Sequence, residues 1–222
     1  MSATIHNFSD TTAPTYKFPD FLFIDTSFLI NALVPVPEKT PLLDIASKCD
    51  DFLKEIRNRA TNEELALFTD ESVLDEFFYF ILQAKVKNVD CLKPPYDKHV
   101  IEYNRRSRNP VSELFKDHPE LIAKYYSLLE NYYDKITAIP VAILEPEHLT
   151  TKARESIGER MCELIKNYNI LPADALHVSV AKQAGINDFV VIDGDYHRID
   201  GIGIYTCITS REFCKVCKSK IG

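Results

Sequence analysis

Two short apolar runs, one near each end of the chain, stop on an aspartate: Phe21-Leu-Phe-Ile-Asp25 and Phe189-Val-Val-Ile-Asp193. Runs of this length without alternation are the pattern of strands buried on both faces. Between them the pattern switches repeatedly between short apolar runs and helical spacing. Thr26-Ser-Phe-Leu-Ile-Asn-Ala-Leu33 begins with cap-type residues and predicts a short helix, closed by Pro35 and Pro37. Leu42, Leu43, Ile45, Ala46, Phe52, Leu53 and Ile56 recur at helical spacing and predict a helix over 42–60. Leu65–Phe68 is a strand candidate, followed by N-cap candidates in Thr69-Asp-Glu-Ser72 and an apolar helix over 73–82. Ile136–Leu144 has a strand pattern interrupted by Pro140. A helix from caps at Thr150 and Thr151 to Tyr168, another from Pro172 to Gly185, a strand at Gly203–Thr206 and a short terminal helix complete the chain.

Strands alternating with helices predict an α/β fold, three layers deep, around a mostly parallel central sheet. Residues 1–19 are polar, lack a period and predict an N-terminal arm; 20–206 form the domain and 207–222 a helical tail. Residues 88–135, broken by Pro94-Pro95 and Asn109-Pro110, predict a helical insertion ending in a Tyr-rich amphipathic helix near Tyr125–Tyr133.

Composition narrows the class. The chain has 222 residues, is 45% apolar, and has no run approaching the roughly 18 residues that span a bilayer. Its first ten residues have neither a basic nor an apolar leader segment, so a cytoplasmic protein is expected. Six scattered cysteines are then reduced thiols by default. Cys214-Lys-Val-Cys217 with Cys207 offers three thiols where a structural zinc site takes four ligands. The net charge of −7 disfavours general nucleic-acid binding. Bound divalent metal would offset part of it, and the local basic run Arg105, Arg106, Arg108 is the candidate phosphate contact.

The candidate chemistry lies with the acids. Asp25 and Asp193 end their strands, and in an open α/β sheet ligands bind beyond the carboxyl ends of strands. Glu76 lies among Leu74, Phe77, Phe78 and Phe80, where burying a carboxylate without a partner is costly. Asp174 falls in the first turn of the helix opened by Pro172, a placement the helix dipole favours by itself. His177, one turn on, has the pattern of a hydrogen-bonded core histidine, and Asp193-Gly-Asp195 also suits a turn.

Taken together, Leu171-Pro-Ala-Asp-Ala-Leu-His177, Gly185-Ile-Asn-Asp-Phe-Val-Val-Ile-Asp-Gly-Asp195, Phe23-Ile-Asp-Thr-Ser27 and Ser72-Val-Leu-Asp-Glu76 resemble, in order, the motifs of PIN-domain ribonucleases. The resemblance implies that Asp25, Glu76, Asp174 and Asp193, with Asp195 as a fifth acid, are catalytic and hold Mg²⁺ or Mn²⁺. Asp-Gly-Asp leaves open whether Asp193 or Asp195 is the principal ligand. Ser27 falls on the small hydroxyl residue that supports the first aspartate beside the substrate, and Val191 replaces a common Thr or Ser. Hydrolysis of single-stranded or looped RNA follows from the resemblance, as do an antitoxin-like partner, as in toxin–antitoxin pairs, or a homodimer. No membrane partner is expected.

Two other readings stand beside it. A haloacid-dehalogenase-type phosphohydrolase also places an aspartate after its first strand but wants an acid two residues on, where this chain has Ser27. A PIN-like scaffold that binds RNA or protein without cutting suits the acidic net charge and Val191. All four principal acid positions are nevertheless filled.

Overall fold

The structure is a computed structural model that describes residues 3–9, 17–36, 42–86, 107–145 and 156–208. Its centre is a six-stranded, all-parallel sheet: β1 (Thr4–Asn7), β2 (Phe21–Ile24), β3 (Ala66–Asp70), β4 (Val141–Leu144), β5 (Asp188–Val190) and β6 (Gly203–Thr206), ordered β1-β6-β5-β2-β3-β4. Among the described residues, eight α-helices flank it: α1 (Thr26–Leu33), α2 (Leu42–Thr61), α3 (Glu71–Val86), α4 (Pro110–Asp117), α5 (Pro119–Ala123), α6 (Tyr126–Thr137), α7 (Ile157–Tyr168) and α8 (Pro172–Gln183). Successive strand residues point to opposite faces. Leu22, Phe23 and Ile24 are all buried, so both faces of β2 are covered, as in a three-layer α/β/α fold. No helix among the described residues is long and apolar enough to cross a membrane.

The order places a switch point beside β2. The chain steps outward from β2 through β3 to β4, and on the other side from β5 to β6. β2 pairs with β3 through Phe21–Phe23 and with β5 through Phe23↔Phe189 and Ile24↔Val190. The crevice beyond the carboxyl ends of β2 and β5 is therefore where such a sheet binds ligands.

Local chemistry fixes the elements around that crevice. Asp25 ends β2 and caps α1, accepting from the Ser27 backbone N–H at 2.9 Å. Asp70 does the same for α3, its Oδ1 accepting from Val73 N–H at 2.8 Å. Pro172 opens α8, and Gly185, at φ +81°, closes it. Ile186 N–H there donates to Ala181 C=O and Gly185 N–H to Lys182 C=O, the paired bonds of a Schellman ending. Any side chain at 185 would strain that left-handed turn.

Four expectations need correction or completion. The arm is not merely extended: residues 4–7 form edge strand β1 on β6, anchored by His6 stacking on Tyr205 and Phe8 on Phe52. Too few apolar positions announce it, because the strand is held by its ladder and two aromatic contacts. The strand expected over 136–144 is only Val141–Leu144; α6 runs through Ile136 to Thr137, and Pro140, without an N–H, marks the boundary. The helix expected from Thr150 is described from Ile157, with a capping box of Ser156 and Glu159; Thr150 and Thr151 lie outside the described residues. Cys207, offered as a third thiol beside Cys214 and Cys217, is buried against Cys49, their sulfurs 4.0 Å apart. Those two, with the terminal helix, lie outside the described residues.

The insertion, described from residue 107, is helical as expected. Val111, Leu114, Leu121, Ile122 and Tyr125 form a small cluster against Val86 and Leu82 at the end of α3. α6 joins the main core instead, through Tyr132 against Phe77 and through Ile136.

Candidate active site

Asp25 is the best-held acid at the crevice. Its Oδ2 accepts from Ser27 Oγ at 2.6 Å and from Ser27 N, while Oδ1 accepts from the Tyr196 hydroxyl at 2.8 Å. Only 4% of its surface is exposed. Burial pushes its carboxyl above the ordinary carboxylate range, against the opposing pull of His177 and of the Ser27 and Tyr196 bonds. Tyr196 is wholly buried, and burial with the neighbouring acids pushes its hydroxyl well above 10, so it stays a donor.

Ser27 is a keystone. Its hydroxyl donates to Asp25 and accepts from the backbone N–H groups of Ile192 at 3.0 Å and Asp193 at 3.3 Å. One O–H and two lone pairs are thereby used. The hydroxyl expected at the substrate instead ties the β2–α1 junction to the segment after β5. Val191, where a hydroxyl residue is common in the resembling family, is fully buried and donates its N–H to Tyr205.

Asp193 caps a 3₁₀ turn over Gly194–Arg198, its Oδ1 accepting from Asp195 N–H at 3.1 Å. Asp195 is buried and 3.4 Å from Arg198. Asp174, half-buried in the first turn of α8, leaves Oδ2 buried without a hydrogen-bond partner. Its carboxyl is pushed up to about 7, first by burial and then by the charges of Asp25, Asp193 and Asp195, with His177 opposing. Asp193 acts on it more strongly than Asp195 does.

Glu76 takes a different partner. Its Oε2 accepts from Thr26 Oγ1 at 2.8 Å and lies 3.3 Å from His177 Nε2. Across the imidazole, Nδ1 is 3.2 Å from Asp70 Oδ2 and 3.1 Å from Ser72 Oγ, which donates in turn to Asp70 Oδ1. Burial alone would discharge this histidine, but Asp70, Glu76 and Asp25 raise it to about 10. It is an imidazolium between two carboxylates, and it holds both Glu76 and Asp70 below their ordinary values. The Nε2 contact with Glu76 is an ion pair without hydrogen-bond alignment.

Asp25, Asp193 and Asp195 are thus each within electrostatic reach of Asp174, while Glu76 is drawn to His177. Among the described residues no three His, Cys, Asp or Glu side chains are gathered closely enough to hold a metal ion as they stand. The donor type nonetheless fits a hard cation, which takes carboxylate oxygens, and the partnerless Asp174 Oδ2 is a free buried ligand atom of that type. Of the candidate phosphate contacts, Arg108 is exposed in the bend before α4, and Arg105 and Arg106 lie outside the described residues.

Sequence reasoning missed Asp70, Thr26 and Tyr196. Asp70 was visible only as one of several cap candidates, and Tyr196 had no signal beyond its closeness to Asp193. A scan of protein-family models and comparisons with curated proteins and with solved structures find no match. The functional reading therefore rests on the site.

Proposed function

We propose that the protein is a Mg²⁺- or Mn²⁺-dependent ribonuclease that hydrolyses phosphodiester bonds at the carboxyl ends of β2 and β5. The observation that carries this reading is the partnerless, buried Asp174 carboxylate, at the sheet's switch point and in the field of Asp25, Asp193 and Asp195. Asp25, Asp174 and Asp193 are the residues that would hold the cation, with Asp195 beside them and Glu76 at the margin. Such an ion lowers the pKa of a bound water and offsets charge on the attacking and leaving oxygens. The chain's own residues do the positioning. Ser27 and Tyr196 fix both oxygens of Asp25, Ser27 orients the backbone at Asp193, and Thr26 links Glu76 to the start of α1. Unpaired RNA is the substrate whose backbone and bases reach such an open crevice most readily.

One observation favours a second reading, a scaffold that binds without cutting: Glu76 is already neutralised by His177 and stands apart from the other acids. One experiment separates the two. Purified protein is incubated with tRNA and unstructured RNA in Mg²⁺, Mn²⁺ or EDTA, beside Asp25→Asn. Cleavage that needs metal and is lost in the variant is the expected result. A folded protein that binds RNA without cutting it under any metal condition would establish the scaffold instead.

A further inference from the structure

Away from the acids, two cysteines distant in sequence face each other in the core. Cys49 lies mid-way along α2 and is fully buried; Cys207 follows the last residue of β6 and is 6% exposed. Their sulfurs are 4.0 Å apart, across 158 positions of chain. We infer that Cys49 and Cys207 form an oxidation-sensitive pair that closes into a disulfide, stapling α2 to the end of β6.

The geometry is close to what the bond requires. A disulfide brings the sulfurs to about 2.05 Å, and rotation about χ1 supplies much of that approach. Cys207 stands in a bend beyond the ladder, so it can shift without breaking a strand pairing. The pair is also chemically asymmetric. The sulfur–sulfur contact and the nearby Lys48 charge lower the Cys207 thiol, against burial, whereas the same contact and burial raise that of Cys49. Cys207 is also the less buried member, 6% exposed against none for Cys49, so it is the thiol an oxidant reaches.

With hydrogen peroxide as oxidant, the steps balance. The Cys207 thiolate attacks a peroxide oxygen; the S–O bond forms, the O–O bond breaks, and the departing hydroxide leaves as water after protonation. Cys49 then attacks the sulfenyl sulfur; the S–S bond forms, the S–O bond breaks, and the hydroxide leaves as water with the Cys49 proton. Two thiols and one peroxide give one disulfide and two waters. Thiol reductants reverse the bond by exchange.

The test oxidises the full chain with hydrogen peroxide, maps its peptides under non-reducing conditions and records its melting temperature before and after dithiothreitol. The expected result is a peptide linking Cys49 to Cys207, with a thermal midpoint raised by roughly 5–10 °C and restored on reduction. Cys162→Ala, which removes an exposed thiol, retains the link. Cys49→Ala accumulates a Cys207 sulfenic acid that dimedone traps. Oxidation that links Cys214 to Cys217 and leaves Cys49 and Cys207 reduced would overturn the inference, as would Cys207 over-oxidation without a link. The experiment reads no RNA cleavage, so it stands independently of the proposed activity.

Discussion

Replacing Asp174 by asparagine is expected to stabilise the metal-free protein at alkaline pH while abolishing its cleavage of RNA. Asp174 has its carboxyl raised from 3.8 to about 7 in the folded chain. A folded-state pKa raised in this way means the native protein binds the proton more tightly than the unfolded chain does. Stability associated with this group therefore falls as pH rises from about 4 to about 7, and the full penalty applies above that. The interval from 3.8 to about 7 corresponds to about 4 kcal/mol at 1.36 kcal/mol per pH unit. Because the side chain is only half-buried, solvent and salt screening bring the expected net effect nearer to about 2 kcal/mol. Asparagine keeps the shape, removes the charge, and turns an NH₂ group toward the surrounding acids. Urea or thermal unfolding in EDTA, at pH 5 and at pH 8.5, reads the difference. For a chain of this size the variant should melt about 4–8 °C above wild type at pH 8.5 and close to it at pH 5. Millimolar Mg²⁺ should narrow the gap by stabilising wild type alone. A variant no more stable than wild type at pH 8.5, or equally shifted at both pH values, would refute the reasoning.

Three further outcomes are expected. His177→Leu removes the cation between Asp70 and Glu76 and should cost about 3–5 kcal/mol in urea unfolding at pH 7, because it strands a buried carboxylate. In wild type, the raised His177 pKa contributes stability fully present below about 6.5 and lost as pH climbs through about 10, so alkaline unfolding profiles should steepen there and flatten in the variant. Ser27→Ala frees Asp25 Oδ2 and the Asp193 backbone and should reduce metal-dependent cleavage about 10–100-fold with little change in fold, measured as initial rates on unstructured RNA. Gly203→Ala places a Cβ against the Asp188 carboxylate across the β5–β6 pair and should cost about 1–3 kcal/mol, a loss relieved in an Asp188→Ala background by double-mutant cycle.

The central strands, the helices over 42–60 and from Pro172, and the acids at strand ends were legible because period, caps and punctuation agreed there. Glu76 was legible for a subtler reason: a carboxylate among Phe77, Phe78 and Leu74 needs a partner, and it has one in His177. What failed to show was non-local. Edge strand β1 is specified by the ladder of β6 and by Tyr205 and Phe52, none of them near it in sequence. His177 had the pattern of a hydrogen-bonded core histidine and is one at Nδ1, but its charge comes from Asp70 and Glu76, which no spacing rule encodes. The resemblance gave Ser27 as support for the first aspartate, and its hydroxyl does hold Asp25 while also binding the backbone after β5.

The electrostatics of the sheet edge explain why the site has two halves. Among the described residues, His177 acts on Asp25, Asp70, Glu76 and Asp174, while Arg198 lies against Asp195. His177, its pKa raised to about 10, offsets the charges of Asp70 and Glu76 at the β3–α3 junction. Asp25 and Asp174 feel His177 only as an opposing charge, and burial still holds both carboxyls above the ordinary range. Without a ligand, protonation relieves that cost, and the Asp174 carboxyl is drawn up to about 7. Carboxylates kept together at this cost, beside one pair already neutralised, leave a deficit of positive charge at the switch point. Under the proposed function, a divalent cation would match that deficit in sign and in ligand preference. Under the same proposal, RNA phosphates would approach this edge of a chain of net charge −7 only with such a cation bound.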